Sequence, residues 1–215
     1  MRSGFTRLAR DESGSTMIEF TIVAVLFFML TFGLVEFGYL LFQWNSASKA
    51  VQLGARMAAV SDPVWGPLST LTSTGSPGGP WQTAYNVTCR GTNATGSTGQ
   101  CSGTSASGYT ATAMQRLVFG RGGTTTCGTV GTDGDAGMCD IFERITPANV
   151  NVRYQNTGLG FAGRPGGPVP TITLTLSGLT FQFFALGALL NFGDLPMPEF
   201  KVTMTGEDLS AAAVP

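Results

Sequence analysis

The hydrophobic and polar positions of this chain follow three patterns in turn. The first is a nearly unbroken apolar run, Met17 to Phe42, with no charged residue between Phe20 and Val35. As a helix, these 26 residues would extend about 39 Å at 1.5 Å per residue. That is enough to cross the roughly 30 Å hydrocarbon core of a bilayer with some tilt. From Gln43 to Val60 the apolar positions recur at spacings of three and four: Ala47, Ala50, Val51, Gly54, Met57 and Ala58. This predicts that the helix continues beyond the membrane with one apolar face turned to the protein's own domain. The small residues on that face allow close approach, and Asp62-Pro63 stops the helix.

The second pattern is nearly featureless. Val64 to Pro80 is rich in Pro, Gly, Ser and Thr and reads as a loop. Residues 86–108 and 122–139 are dense in Gly, Thr and Ser and bury too little by themselves to become ordered. Between them, Ala111, Met114, Leu117 and Val118 predict a short helix over Thr110 to Phe119. The third pattern is alternation. Val150, Val152 and Tyr154, then Ile172, Leu174 and Leu176, then Phe200, Val202 and Met204 alternate with polar residues. These are half-buried strands of an antiparallel sheet with one wet face. Leu179 to Phe192 is strongly apolar but too short for a second span. It reads as a strand extension and a helical turn in the core; exposed, it would be a patch for a partner or the membrane surface.

Composition changes the picture in two respects. Charged residues are only 12%, glycines number 30, and the net charge is −1. This points to a loop-rich, β-rich exported domain and gives no reason to expect a nucleic-acid partner. The four cysteines, Cys89, Cys101, Cys127 and Cys139, all follow the apolar helix. Four cysteines allow three pairings; the local one, Cys89 with Cys101 and Cys127 with Cys139, is favoured here. Disulfides persist in the periplasm or outside the cell. A zinc site is the rival, but its cysteines normally cluster as C-x2-C or C-x4-C. The expected fold class is α+β: a long N-terminal transmembrane helix extending into the periplasm, packed on a small antiparallel β-sheet domain with disulfide-stapled loops. Its expected parts are residues 1–14, 15–60 and 61–215.

Candidate chemistry gathers at the N-terminus. Residues 1–14 are polar, with Arg2, Arg7 and Arg10 against Asp11 and Glu12. Basic residues favour the cytoplasmic side for that end. A removable signal peptide has a shorter apolar region and a small-residue cleavage site; Asn45-Ser46-Ala47 serves poorly. Glu19 stands two residues into the apolar run, where a carboxylate is costly unless it lies among headgroups or has a function. Glu36 falls about 28 Å along the helix from Met17. It is expected in water at the far interface, with a polar contact to a partner helix as the alternative. Phe37, Tyr39 and Trp44 around it suit an aromatic interface belt.

The spacing Gly14-Ser15-Thr16-Met17-Ile18-Glu19-Phe20 is that of a type IV prepilin processing site. Together with Glu36-Phe37-Gly38 and the small-residue stretch Ala47 to Ala59, it makes Gly14 to Val60 resemble the N-terminus of TadE-like pseudopilins of the tight-adherence (Tad or Flp) pilus system. The resemblance implies cleavage after Gly14 by a prepilin peptidase at the cytoplasmic face, leaving Ser15 as the new N-terminus. Glu19 and Phe20 would then serve peptidase recognition and assembly. The α-amine of a neighbouring subunit would meet the Glu19 carboxylate, lowering the cost of burying both charges. The partners implied are the prepilin peptidase, the inner-membrane Tad assembly platform, sibling pseudopilins and the major Flp pilin, with membrane lipid around the helix.

Other chemistry finds little support. The chain has no histidine, so neither a Ser-His-Asp nor a Cys-His set exists, and no cofactor motif is present. Asp133, Asp135 and Asp140 might suggest calcium in outline, but Arg144 stands where an EF-hand needs its glutamate. The expectation is therefore a non-catalytic minor pilin or pseudopilin without metal or cofactor. A membrane-anchored extracytoplasmic adhesion module is the alternative, and an anchored enzyme ranks below both.

Overall fold

The computed structural model describes residues 13–104, 107–121, 125–128, 136–164, 167–184, 187 and 193–206. The chain divides into two compact units: residues 1–42 with 182–194, and residues 43–181 with 195–215.

One helix, α1 (Ser13–Val60), contributes to both units. In the first, its surface before Glu36 is largely apolar and exposed: Phe20, Leu26, Leu30 and Leu34 all lie open. A helix apolar all round requires an apolar surrounding. It is long and apolar enough to cross a membrane, and no residue of its most apolar window is buried within the protein. The hydroxyls it carries there are satisfied internally. Thr21 Oγ1 donates to the Met17 carbonyl at 2.7 Å, and Thr31 Oγ1 to the Phe27 carbonyl at 3.0 Å. Such back-bonding removes the penalty of an unpaired hydroxyl in hydrocarbon.

The second unit is built on a five-stranded antiparallel sheet of order β2-β1-β3-β4-β7. Its strands are β1 (Asn86–Gly91), β2 (Gly99–Gly103), β3 (Val150–Gln155), β4 (Thr171–Leu176) and β7 (Phe200–Thr205). The alternating residues fall into register across it. Val87, Tyr154, Ile172 and Met204 form one apolar row, and Cys89, Val152, Leu174 and Val202 the next. On the opposite face Thr88, Arg153, Thr173 and Thr203 form a polar row, with the Thr173 and Thr203 hydroxyls 3.1 Å apart. Because side chains alternate with a period of two, this register places every large apolar residue of β3 and β4 in the core.

Residues 43–60 of α1, α2 (Ala111–Phe119) and the short α3 (Met138–Ile141) share that core. Ala47, Ala50, Val51, Gly54 and Ala58 of α1 are buried, as the three–four spacing predicts; Met57 is only partly buried, and Ala55, outside that pattern, is buried too. Gly54 lies where a methyl group would come within 2.8 Å of Met138 Cγ and 3.2 Å of Leu174 Cδ1. Ser61 Oγ donates to the Met57 carbonyl at 2.7 Å at the end of the helix. The Val64 N–H, just beyond the Asp62-Pro63 stop, donates to Tyr154 Oη at 2.9 Å. Burial raises the Tyr154 phenol above its ordinary pKa, an effect partly opposed by this backbone bond.

Two expectations need correction. Residues 86–108 are not merely a stapled loop: they contain the β1–β2 hairpin. Val87, Cys89 and Gly91 face inward in alternation, a pattern obscured because two of its three positions are a cysteine and a glycine. The expected core segment Leu179 to Phe192 is described only at residues 179–184 and 187, the rest lying outside the described residues, and Leu179 to Phe184 is not a continuous piece of core. Leu179 is buried, but β4 ends at Leu176, and β5 (Thr180–Phe181) pairs instead with β6 (Leu195–Pro196) in a separate two-stranded ladder. Phe184, beyond it, is 82% exposed. Arg144 fixes the start of β5. It donates to the Thr180 carbonyl at 2.6 Å, to Thr180 Oγ1 at 3.0 Å and to Gln43 Oε1 at 3.3 Å.

Candidate functional site: the N-terminal helix

Helix α1 begins at Ser13, so the Gly14–Ser15 peptide bond lies in its first turn. The first four N–H groups of any helix lack intrahelical partners, which makes this turn the easiest to open for a protease. Glu19 and Phe20 follow just over one turn later on the same helix, and both are exposed. Among the described residues Glu19 has no hydrogen-bond or ion-pair partner. On the helix surface its neighbours are Thr16, Ile22 and Val23, with Met17, Ile18 and Phe20 beside it in sequence, and all of them are exposed.

Glu36 differs sharply from Glu19. It is 2% exposed, although its neighbours Val35 and Phe37 are 63% and 60% exposed. Its Oε1 accepts a short hydrogen bond from the Phe184 backbone N–H. The expected interfacial carboxylate in water is therefore not found. One face of the helix is covered there, and the partner comes from within the same chain and the same unit. A charge inside a long apolar run was the sequence signal; its donor, 148 residues further on, carried none.

The cysteines belong to the other unit. They pair as Cys89–Cys101 and Cys127–Cys139, the local pairing. Cys89 and Cys101 face each other in the β1–β2 register, so the bond ties adjacent strands. Cys139 sits on α3 and ties it to the loop at Cys127. Asp140 completes that link: its Oδ1 accepts the Gly128 N–H at 2.8 Å and its Oδ2 the Gly137 N–H at 2.7 Å. This carboxylate is occupied with backbone donors. Asp133 and Asp135 lie outside the described residues. Among the described residues, no three His, Cys, Asp or Glu side chains are grouped to hold a metal.

An open cleft of about 510 Å³ in the second unit is lined by Arg56, Ser61, Arg116 and Arg121 among apolar neighbours. Arg116 is ion-paired with Asp62 at 3.1 Å. The Ser61 hydroxyl is committed to the helix carbonyl. Guanidinium groups attract anions, but this lining offers no activated nucleophile and no acid–base pair.

The chain's features of functional interest thus concentrate on α1: a scissile-bond candidate in the first turn, a carboxylate five residues later with no partner among the described residues, and an apolar surface exposed as far as Val35. No curated protein and no solved structure matches the chain. Residues 14–56 match the family model described as TadE-like protein, a stretch that starts at Gly14 and runs through Glu19, Glu36 and most of the buried alanines. Over those residues, the helix that carries the candidate processing site is similar to TadE-like proteins.

Proposed function

We propose that this protein is a minor pilin or pseudopilin that takes part in assembling a tight-adherence pilus. A prepilin peptidase cuts it after Gly14 at the cytoplasmic face. The mature chain begins at Ser15, retains α1 as its membrane anchor and holds the sheet unit on the periplasmic side. The inner-membrane Tad platform then brings it together with sibling pseudopilins and the major Flp pilin. Its work is association and not catalysis.

The observation that carries this reading is Glu19. It is exposed on an apolar helix and has no hydrogen-bond or ion-pair partner among the described residues, five positions after Gly14 in the TadE-like segment. A carboxylate held in an apolar setting without a counter-charge is unfavourable by a few kcal/mol. The amine created at Ser15 of a neighbouring subunit supplies that counter-charge, and pairing offsets the desolvation of both groups. Gly14 suits its position for the same reason: a residue without a side chain lets the backbone open into the extended form a protease binds.

N-terminal sequencing of the mature protein from its native membrane tests the cleavage. Ser15 is the expected first residue; Met1 would reduce the protein to a plain anchor, and a start beyond Ala47 would make α1 a signal peptide. Glu19→Ala tests assembly. The variant is expected to insert and be cleaved normally but to be lost from purified pili. Its recovery there at wild-type levels would refute the role given to Glu19.

A further inference from the structure

The residues that share a compact unit with the membrane helix come from far along the chain. Gln182 to Asp194 reads QFFALGALLNFGD, in which Asp194 is the only charged residue. The segment leaves and rejoins the sheet unit through the β5–β6 ladder. Glu36 accepts the Phe184 N–H, so the Phe184 backbone lies at the same depth along α1 as Glu36. That depth is about 28 Å from Met17, close to the outer edge of a hydrocarbon core of roughly 30 Å. The Phe184 ring is nonetheless 82% exposed.

We infer that the stretch at Phe184, residues 182–184, forms a second membrane contact, seated in the outer boundary of the bilayer beside α1 and held there by Glu36. The inference rests on reading α1 as the membrane anchor. Three observations support lipid as the occupant. The exposed Phe184 surface is continuous in depth with the exposed apolar surface of α1, including Val35 and Phe37. An aromatic ring at this level belongs to the zone where aromatic side chains are enriched. The Glu36–Phe184 bond also answers two penalties at once: a buried carboxylate gains a donor, and a non-helical backbone N–H near the hydrocarbon gains an acceptor. Glu36 is thus a positioning residue: its acceptor oxygen sets where the segment enters the bilayer surface.

The test places a nitroxide at Phe184→Cys in the full-length, oxidised protein, reconstituted in phosphatidylcholine–phosphatidylglycerol vesicles. Collision rates are then measured with oxygen, which concentrates in lipid, and with a water-soluble nickel chelate. Leu30→Cys on the helix and Lys201→Cys on the polar sheet face are the lipid and water references. Position 184 is expected to resemble Leu30, with oxygen collisions severalfold more frequent than nickel collisions. Glu36→Ala is expected to shift it toward the Lys201 pattern and to increase label mobility, whereas Glu36→Gln, which keeps an acceptor oxygen, restores the wild-type ratio. If position 184 matches Lys201 in the wild-type background, the segment lies in water and the inference fails. Protection from both reagents would mean a protein surface covers it, which also overturns the inference. If Leu30 itself lies in water, the anchor reading fails, a result distinct from failure at position 184 alone.

Discussion

The phenol oxygen of Tyr154 accepts the Val64 N–H at 2.9 Å, and no part of the Tyr154 side chain reaches solvent. Tyr85 is buried in the same core, but its hydroxyl has no hydrogen-bond partner among the described residues. Burial pushes the Tyr85 phenol up to about 12, as expected where the charged form is poorly solvated. The same substitution should therefore act in opposite directions at the two sites. Tyr154→Phe leaves a buried backbone N–H unpaired and should lower stability by about 1–3 kcal/mol. Tyr85→Phe removes an unsatisfied hydroxyl and should be neutral or stabilising by up to about 1 kcal/mol. Chemical denaturation of the two variants in the same detergent measures the difference. Equal losses at both sites would mean that the Tyr85 hydroxyl has a partner after all.

At the scale of elements, the decisive packing is between α1 and the sheet. Gly54 gives Met138 and Leu174 their room, so Gly54→Leu should overpack that contact and cost about 1–3 kcal/mol, despite the better helix propensity of leucine. A thermal midpoint lowered by several degrees, with the apolar N-terminal half of α1 unaffected, is the expected outcome; an unchanged midpoint would mean that the helix can stand off from the sheet. This contact was legible in the sequence because alanine and glycine recurred at three–four spacing and the strands of residues 150–205 alternated cleanly. The β1–β2 hairpin was not legible, since Cys89 and Gly91 mask the alternation that Val87 begins. Glu36 was visible as an oddity, but its environment depended on Phe184, and a backbone donor leaves no trace in residue type. At the candidate processing site the situation was reversed: the Gly14–Glu19–Phe20 spacing needed no structure to be seen.

For the molecule as a whole, the two disulfides and the apolar helix make one joint statement about compartment. Both bonds lie in the unit that follows the exposed apolar half of α1. A disulfide is stable only where the redox environment permits it, so the proposed orientation places all four thiols on the oxidising side. In intact cells the protein should resist alkylation by maleimide–polyethylene glycol unless first reduced, after which it should shift by four additions. Reduction should also weaken the sheet unit. Each loop spans 12 residues in sequence, and constraining a loop of that size is worth about 2–4 kcal/mol. The two bonds should differ in effect. Cys89 and Cys101 are buried between paired strands, so replacing both with alanine also leaves empty core volume, whereas Cys127 is only partly buried. The Cys89→Ala, Cys101→Ala pair should therefore lose more stability than the Cys127→Ala, Cys139→Ala pair. Alkylation of all four thiols without reductant would place the sheet unit in a reducing compartment and reverse the proposed orientation of α1.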